Sequence, residues 1–353
     1  MKKLKWMLLI VLACSLILAS CSQGAAADTE EVAEDAVAEE TVPEKTEFTI
    51  GLSWNAKNLT LVQAWEDYMK EIAEETAAAE GYTISWVINV AESDPTRQAS
   101  NIEDLISQGV DVIIARAEDG AAICSSVAAA KEAGIPFITF DREAQGCEPD
   151  GHVGADSLAQ AVSTAETFAE LLKANDVTGK CIELVGDLAD QNAVNRSEGW
   201  AQVEEETGAW TTVLQVLTEY DHEIFTSGTK NGFTEYPDAN CMFITTDAGW
   251  GIVQNALEEM GKLYKTGEEG HIWIASQDVD IPGYQGLMEG YMDVSTSYDA
   301  YFHSFELVKM AIALAKGETL ESTNVLVSGR VVTAENVRDT EDLWARDYGD
   351  YQE

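Results

Sequence analysis

From residue 48 onward, short apolar runs alternate with helical stripes along the chain. Residues 48–54 (FTIGLSW) predict a strand, 61–80 an amphipathic helix, 83–90 a strand and 97–108 a helix. The series continues with a strand at 110–115 (VDVIIA), an Ala-rich helix over 121–133 and a strand at 136–140 (PFITF). It restarts with strands at 181–185, 211–217, 242–246 and 272–276, set among helices near 195–207, 223–236, 249–260 and 281–289. Strands separated by helices are βαβ units, and the crossover helix returns the chain so that the strands lie parallel. The expected fold class is therefore α/β, with two similar lobes, each a parallel sheet flanked by helices.

Ligands of open parallel sheets bind beyond the carboxyl ends of the strands. Here those ends are polar: Asn55 after the first strand, Glu118 and Asp119 after the third, Asp141 and Arg142 after the fourth. The second lobe offers Gly186 and Asp187, Thr246 and Asp247, and Gln277 and Asp278. Two such ends facing each other across a cleft would clamp a small polar ligand.

Charge narrows the partners. Asp and Glu number 63 against 21 Lys and Arg, a formal net charge of −42. Phosphate backbones are bound by clustered cations, so nucleic acid is excluded as a partner. At the N-terminus Lys2, Lys3 and Lys5 precede an apolar run over 7–19, too short for the roughly 20 residues of a membrane-spanning helix. The pattern predicts a signal peptide over 1–20. Its end, Leu18-Ala19-Ser20-Cys21, resembles a bacterial lipobox, which implies lipidation of Cys21 and attachment to the outside of the cytoplasmic membrane. Residues 22–47 hold nine acidic residues, one Lys and no aromatic, the composition of a disordered tether extended by its own repulsion.

Six cysteines in 353 residues are too few for a disulfide scaffold, and no CxxC, HExxH or zinc-spaced cluster occurs. For Cys124 with Cys147 and for Cys181 with Cys241, a disulfide and a pair of buried thiols both remain open. The histidines at 152, 222, 271 and 303 share no metal spacing and no nucleophile partner. Asp278, Asp280, Gly283 and Glu289 match part of a calcium loop, but Pro282 stands where an oxygen ligand is needed. No metal or cofactor is expected.

Three segments in order carry a resemblance: Asp94-Pro95 followed by 101–106 (NIEDLI), then 109–114 (GVDVII), then 134–142 (GIPFITFDR). Together they resemble the first lobe of the type I periplasmic binding proteins for sugars, whose ribose- and galactose-binding members feed ABC importers. The resemblance covers roughly residues 48–337 and implies a multi-segment hinge with crossings near 152–157, 295–298 and 325–330. It implies a first lobe of 48–155 with 298–325, a second of 156–297 with 326–337, and a C-terminal tail over 338–353.

The resemblance also implies site residues. Asp141 and Arg142 stand where the family holds sugar hydroxyls, a carboxylate accepting while a guanidinium donates in a planar fork. Arg196 opens a similar helix-start segment, Tyr220 matches an aromatic that stacks on ligand, and Asp247 and Asp278 follow their strands at matching positions. Ribose binders carry Asn-Pro-Phe-Phe after the first strand, whereas this chain has Asn58-Leu59-Thr60-Leu61. Trp54 is then the expected ring beside Asn55, and Tyr298 replaces the usual Gln or Asn. A ligand other than ribose is favoured, a different sugar or sugar-like polyol.

The function implied is a monomeric, lipid-anchored solute-binding protein that passes its ligand to an ABC permease. One rival is a receptor presenting ligand to a membrane sensor kinase. The other is an extracellular carbohydrate-active enzyme using Asp141 and Asp278 as a carboxylate pair.

Overall fold

The computed structural model describes residues 45–341 and 343–349. The expected signal peptide, Cys21 as the expected lipidation site, most of the expected tether and the last residues of the tail lie outside the described residues.

The first half of the chain runs β1 (Glu47–Trp54), α1 (Thr60–Glu80), β2 (Thr83–Val90), α2 (Pro95–Gln108), β3 (Val112–Ala115), α3 (Cys124–Glu132), β4 (Phe137–Phe140) and β5 (Gly151–Ala155). It continues with α4 (Ser157–Ala174), β6 (Gly179–Val185), α5 (Gln191–Thr207), β7 (Trp210–Leu217), α6 (His222–Glu235), β8 (Cys241–Ile244), α7 (Trp250–Glu259), β9 (Trp273–Asp278), α8 (Ile281–Glu289) and β10 (Val294–Ser297). The end of the chain holds α9 (Ala300–Ala315), β11 (Asn324–Val327), β12 (Val331–Thr333) and a short α10 (Trp344–Tyr348).

Two sheets of six strands result, in the orders β11-β5-β4-β3-β1-β2 and β12-β10-β9-β8-β6-β7. Every pairing is parallel except that of the edge strand β12 with β10. The central strands β3 (VIIA), β4 (FITF) and β8 (CMFI) are buried throughout, as strands covered by helices on both faces must be. Each α helix then needs only one apolar stripe. In α1 that stripe is Leu61, Trp65, Met69 and Ile72. The Asp94 side chain caps α2 by accepting the N–H groups of Thr96 and Arg97, Pro95 follows it, and Gly109 ends the helix in the left-handed conformation.

The segments expected as crossings each begin as strand: β5 runs to Ala155, β10 to Ser297 and β11 to Val327, and each ends where the chain leaves for the other sheet. The chain passes between sheets after β5, after β10 and between β11 and β12, and β11 remains in the first sheet through Val327. Both open cysteine pairs are joined. Cys181 and Cys241 link the neighbouring strands β6 and β8, in which they are register partners. Cys124 and Cys147 fasten the start of α3 to the loop after β4.

Candidate functional site

The polar strand ends of the two sheets converge on a cleft of about 310 Å³. On the side of the first sheet, Asp141 follows β4 and is the centre of the network. Arg116, just after β3, donates from Nε to Asp141 Oδ2 at 2.5 Å and from Nη1 to Asn55 Oδ1 at 2.7 Å. Asn55 in turn donates to Glu118 Oε2 at 2.8 Å. Tyr298, at the crossing after β10, donates its hydroxyl to Asp141 Oδ1 at 2.5 Å. Arg142 is held by the carbonyl of Glu118 at 2.9 Å, and its Nε lies 3.2 Å from Asp190 Oδ2. That N–H is not aimed at the carboxylate, so the pair is an ion pair without an aligned hydrogen bond.

The second sheet supplies a matching couple. Arg196, on α5, donates from Nη2 to Asp278 Oδ1 at 2.5 Å and from Nη1 to the Thr245 carbonyl at 2.7 Å. The Thr246 hydroxyl donates to Asp278 Oδ2 at 2.8 Å. Tyr220 donates to Asp190 Oδ2 at 2.9 Å, and its ring fills space that only a glycine at 186 leaves, since a Cβ there would come within 2.5 Å of the ring.

Burial sets the electrostatics. It pushes the Asp141 carboxyl up, but Arg116, the Tyr298 hydroxyl and Arg142 outweigh it, and Asp141 sits below the ordinary Asp value. Burial works against the charge on Arg142 and Arg196, yet Asp190 and Asp278 respectively hold both guanidiniums above the ordinary Arg value. The hydroxyls of Tyr220 and Tyr298 are pushed well up by burial and by the carboxylates they bond, so they act only as donors. The backbone is also unusual here. Ser93, Asp141, Glu219, Tyr220 and Asp278 all line the cleft, and all have positive φ, from 49° to 96°. Non-glycine residues rarely adopt that conformation, and such residues cluster at ligand sites, where surrounding contacts hold them.

Of the expected residues, the structure brings Asn55, Asp141, Arg142, Arg196, Tyr220, Asp278 and Tyr298 to the wall of the cleft. Trp54 and Asp247 are not in that wall. Trp54 is fully buried under Trp65, donating to Glu66 Oε2 at 2.9 Å, and Trp65 is the ring that faces the cleft. Asp247 accepts the N–H groups of Val279 and Asp280 at 2.8 and 2.9 Å and the Ser295 hydroxyl at 2.9 Å. It thereby fixes the turn that presents Asp278. Burial, then Asp278 and Asp280, push its carboxyl well above the usual range. A Cβ at Gly283 would meet this carboxylate at 2.1 Å, so the glycine makes the approach possible.

Sequence reasoning missed Trp65, Arg116, Asp190 and Asn192. Trp65 belongs to the apolar stripe of α1 and reads as core; Arg116 directly follows the strand at 110–115, where the polar pair Glu118 and Asp119 draws the reading instead; nothing in the sequence around Asp190 and Asn192 singles them out. Among the described residues, three that line the cleft carry a buried donor without a hydrogen-bond partner: Trp65 Nε1, Arg142 Nε and Arg196 Nε. A buried N–H without a partner is costly, so a site holding three of them is suited to a ligand rich in acceptor oxygens.

Residues 58–319, well over half of the chain, match the model of the periplasmic binding protein domain, and the chain belongs to that family, one of binding proteins. The ribose import binding protein of Bacillus subtilis (strain 168) is 28% identical over 207 residues, which are 58% of this chain and 63% of that protein. This chain thus spans under two thirds of that relative. The xylitol-binding protein of Mycolicibacterium smegmatis is 26% identical over 278 residues, 76% of this chain and 73% of that protein. An ABC transporter solute binding protein from Bacillus halodurans C-125, solved with bound myo-inositol, superimposes with a TM-score of 0.74 at 26% identity, covering 84% of this chain and 98% of that one. Among the described residues, no helix is long and apolar enough to cross a membrane.

Proposed function

We propose that this chain is an extracytoplasmic solute-binding lipoprotein that closes two lobes on a monosaccharide or related polyol and delivers it to an ABC permease. The lobes divide at the three crossings, with β11 in the first. The protein acts as a monomer, held at the membrane by acyl chains on Cys21. Cys21→Ser should then release it from the membrane fraction.

One observation carries the reading: a single cleft is walled by three guanidinium–carboxylate couples, two tyrosine hydroxyls and an indole whose N–H is unpartnered. Hydroxyls are both donors and acceptors, so a polyol can take the indole and guanidinium N–H groups while donating to the carboxylates. The cleft volume lies at the small end of the range of about 300–1,000 Å³ for small-molecule pockets, which suits one sugar ring. Relatives that import ribose or bind xylitol, and a solved neighbour holding myo-inositol, support this ligand class.

The hydrolase rival needs Asp141 and Asp278 as a free acid and base. Each is tied to a guanidinium instead, and Asp141 is held below the ordinary range, which suits an acceptor and not a proton donor. A thermal-shift screen of pentoses, hexoses and acyclic and cyclic polyols tests the proposal, because a ligand that binds only the folded state raises the midpoint by mass action. At least one member should raise it. If none does while sugar acids or amino acids do, the ligand class is wrong.

A further inference from the structure

The three side chains on Asp141 come from three parts of the molecule. Arg116 belongs to the first lobe and Tyr298 to a crossing segment, but Asn192 belongs to the first turn of α5 on the second lobe. Its Nδ2 donates to the Asp141 carbonyl at 3.1 Å and to Asp141 Oδ1 at 3.2 Å. The amide is not free to turn, because the Ser157 hydroxyl donates to its Oδ1 at 2.7 Å and leaves the NH₂ facing Asp141. Asp190, the cap of α5, accepts the Asn192 N–H on Oδ1 at 3.0 Å. Its Oδ2 takes the Tyr220 hydroxyl and lies 3.2 Å from Arg142 of the first lobe. A carboxylate has about four acceptor positions. With Arg116 on Oδ2 and Tyr298 and Asn192 on Oδ1, Asp141 keeps about one acceptor position, on Oδ2, for a ligand hydroxyl.

We propose that Asp190 and Asn192 form a latch that holds the two lobes together by gripping Arg142 and Asp141 with protein groups alone. Asp141 is then a junction between the lobes before it is a ligand acceptor. The closed form is populated without ligand, and a ligand draws on that population instead of supplying all of the closure free energy itself. Losing the latch lowers the binding-competent fraction and weakens apparent affinity in proportion. This extends the two-lobe clamp proposed above, but its first readout needs no ligand and therefore stands or falls separately from the ligand class.

The test is small-angle scattering on the ligand-free, exhaustively dialysed chain, comparing wild type with Asn192→Ala, Asn192→Asp and Asp190→Asn. The wild type should have the smallest radius of gyration. Asn192→Ala and Asp190→Asn should expand it, and Asn192→Asp, which sets a carboxylate against Asp141, should expand it most. For any ligand found by the thermal-shift screen, the dissociation constant of Asn192→Ala should rise about tenfold or more. Circular dichroism checks that each variant is folded. Where Asn192→Asp does not fold, Ser157→Ala carries the test, since it frees the amide to rotate without adding charge and should also expand the molecule. Ligand-free curves of the folded variants that superimpose on wild type overturn the latch.

Discussion

The Tyr298 hydroxyl donates to Asp141 Oδ1 at 2.5 Å, while its ring stacks on His303 with centroids 4.5 Å apart and meets Trp65 edge to face. Tyr298→Phe keeps both ring contacts and deletes only the donor. Without that donor the Asp141 carboxylate is no longer held at its place in the cleft wall, so affinity for the ligand should fall about tenfold, roughly 1.4 kcal/mol. Titration calorimetry of the two proteins against one ligand measures this, and equal affinities would show that the hydroxyl plays no part in binding.

Trp65 offers a cleaner separation of fold from function. It is 1% exposed and its Nε1 has no protein partner. Trp65→Phe removes an unsatisfied donor, so the thermal midpoint without ligand should fall by no more than the lost ring area explains. Ligand affinity should drop by about 1–3 kcal/mol if the N–H bonds a ligand oxygen. A variant that loses stability and keeps its affinity would return Trp65 to a purely core role.

The large pattern of the fold was legible in the sequence because β1 to β4 and β6 to β9 each contain an apolar run that stands out from its helical neighbours. Four strands stand out less: β11 (Asn-Val-Leu-Val) and β12 (Val-Val-Thr) are apolar but only four and three residues long, and β5 and β10 lack such a run. β10 is Val-Ser-Thr-Ser and β5 is Gly-His-Val-Gly-Ala, both buried yet nearly without large apolar side chains. Helix α4 hid for a related reason: its buried face mixes Ser157, Gln160 and Thr164 with Ala161, Ala165 and Phe168, which blurs the period. At the site, Asn55, Asp141, Arg142 and Asp278 stand at or directly after strand ends and are legible from position, whereas Arg116 follows β3 as closely and is not among the expected residues. Asp247 was placed at the right loop, but sequence does not show which way a side chain turns, and it turns toward the backbone of 279 and 280. Asp190 and Asn192 act across the cleft, and only the three-dimensional arrangement brings them to Asp141 and Arg142.

Asp280 makes stability depend on pH. It caps α8 by accepting the Ile281 N–H at 2.6 Å, and burial, outweighing that bond, pushes its carboxyl up to about 6. A raised carboxyl means that the folded state keeps a proton the unfolded chain gives up, so stability falls as pH rises from about 4 to about 6. Asp280→Asn keeps a capping oxygen and removes the titration. Relative to wild type, the variant's thermal midpoint should be lowest near pH 4 and gain between pH 4 and 6, a change of up to roughly 3 kcal/mol. A constant difference across that range would contradict the assignment.

The two disulfides differ in exposure. Cys181 and Cys241 are fully buried between β6 and β8, whereas Cys124 and Cys147 are half-exposed. Mild reductant followed by alkylation and mass spectrometry should label Cys124 and Cys147 first. Their bond fixes the loop that follows Arg142, so ligand affinity should weaken at that stage while the fold persists. Simultaneous labelling of all four would mean that reduction needs global unfolding.

The central claim is that one ligand is held at once by both lobes, through Arg142 on the first and Arg196 on the second. Titration calorimetry of wild type, Arg142→Ala and Arg196→Ala against a ligand that raises the thermal midpoint tests it most directly. Wild type should bind one ligand per chain, and each variant should lose about a hundredfold or more, since each removes from the cleft wall a guanidinium whose Nε has no protein hydrogen-bond partner. Near-wild-type affinity in either variant, with the fold intact, would contradict it.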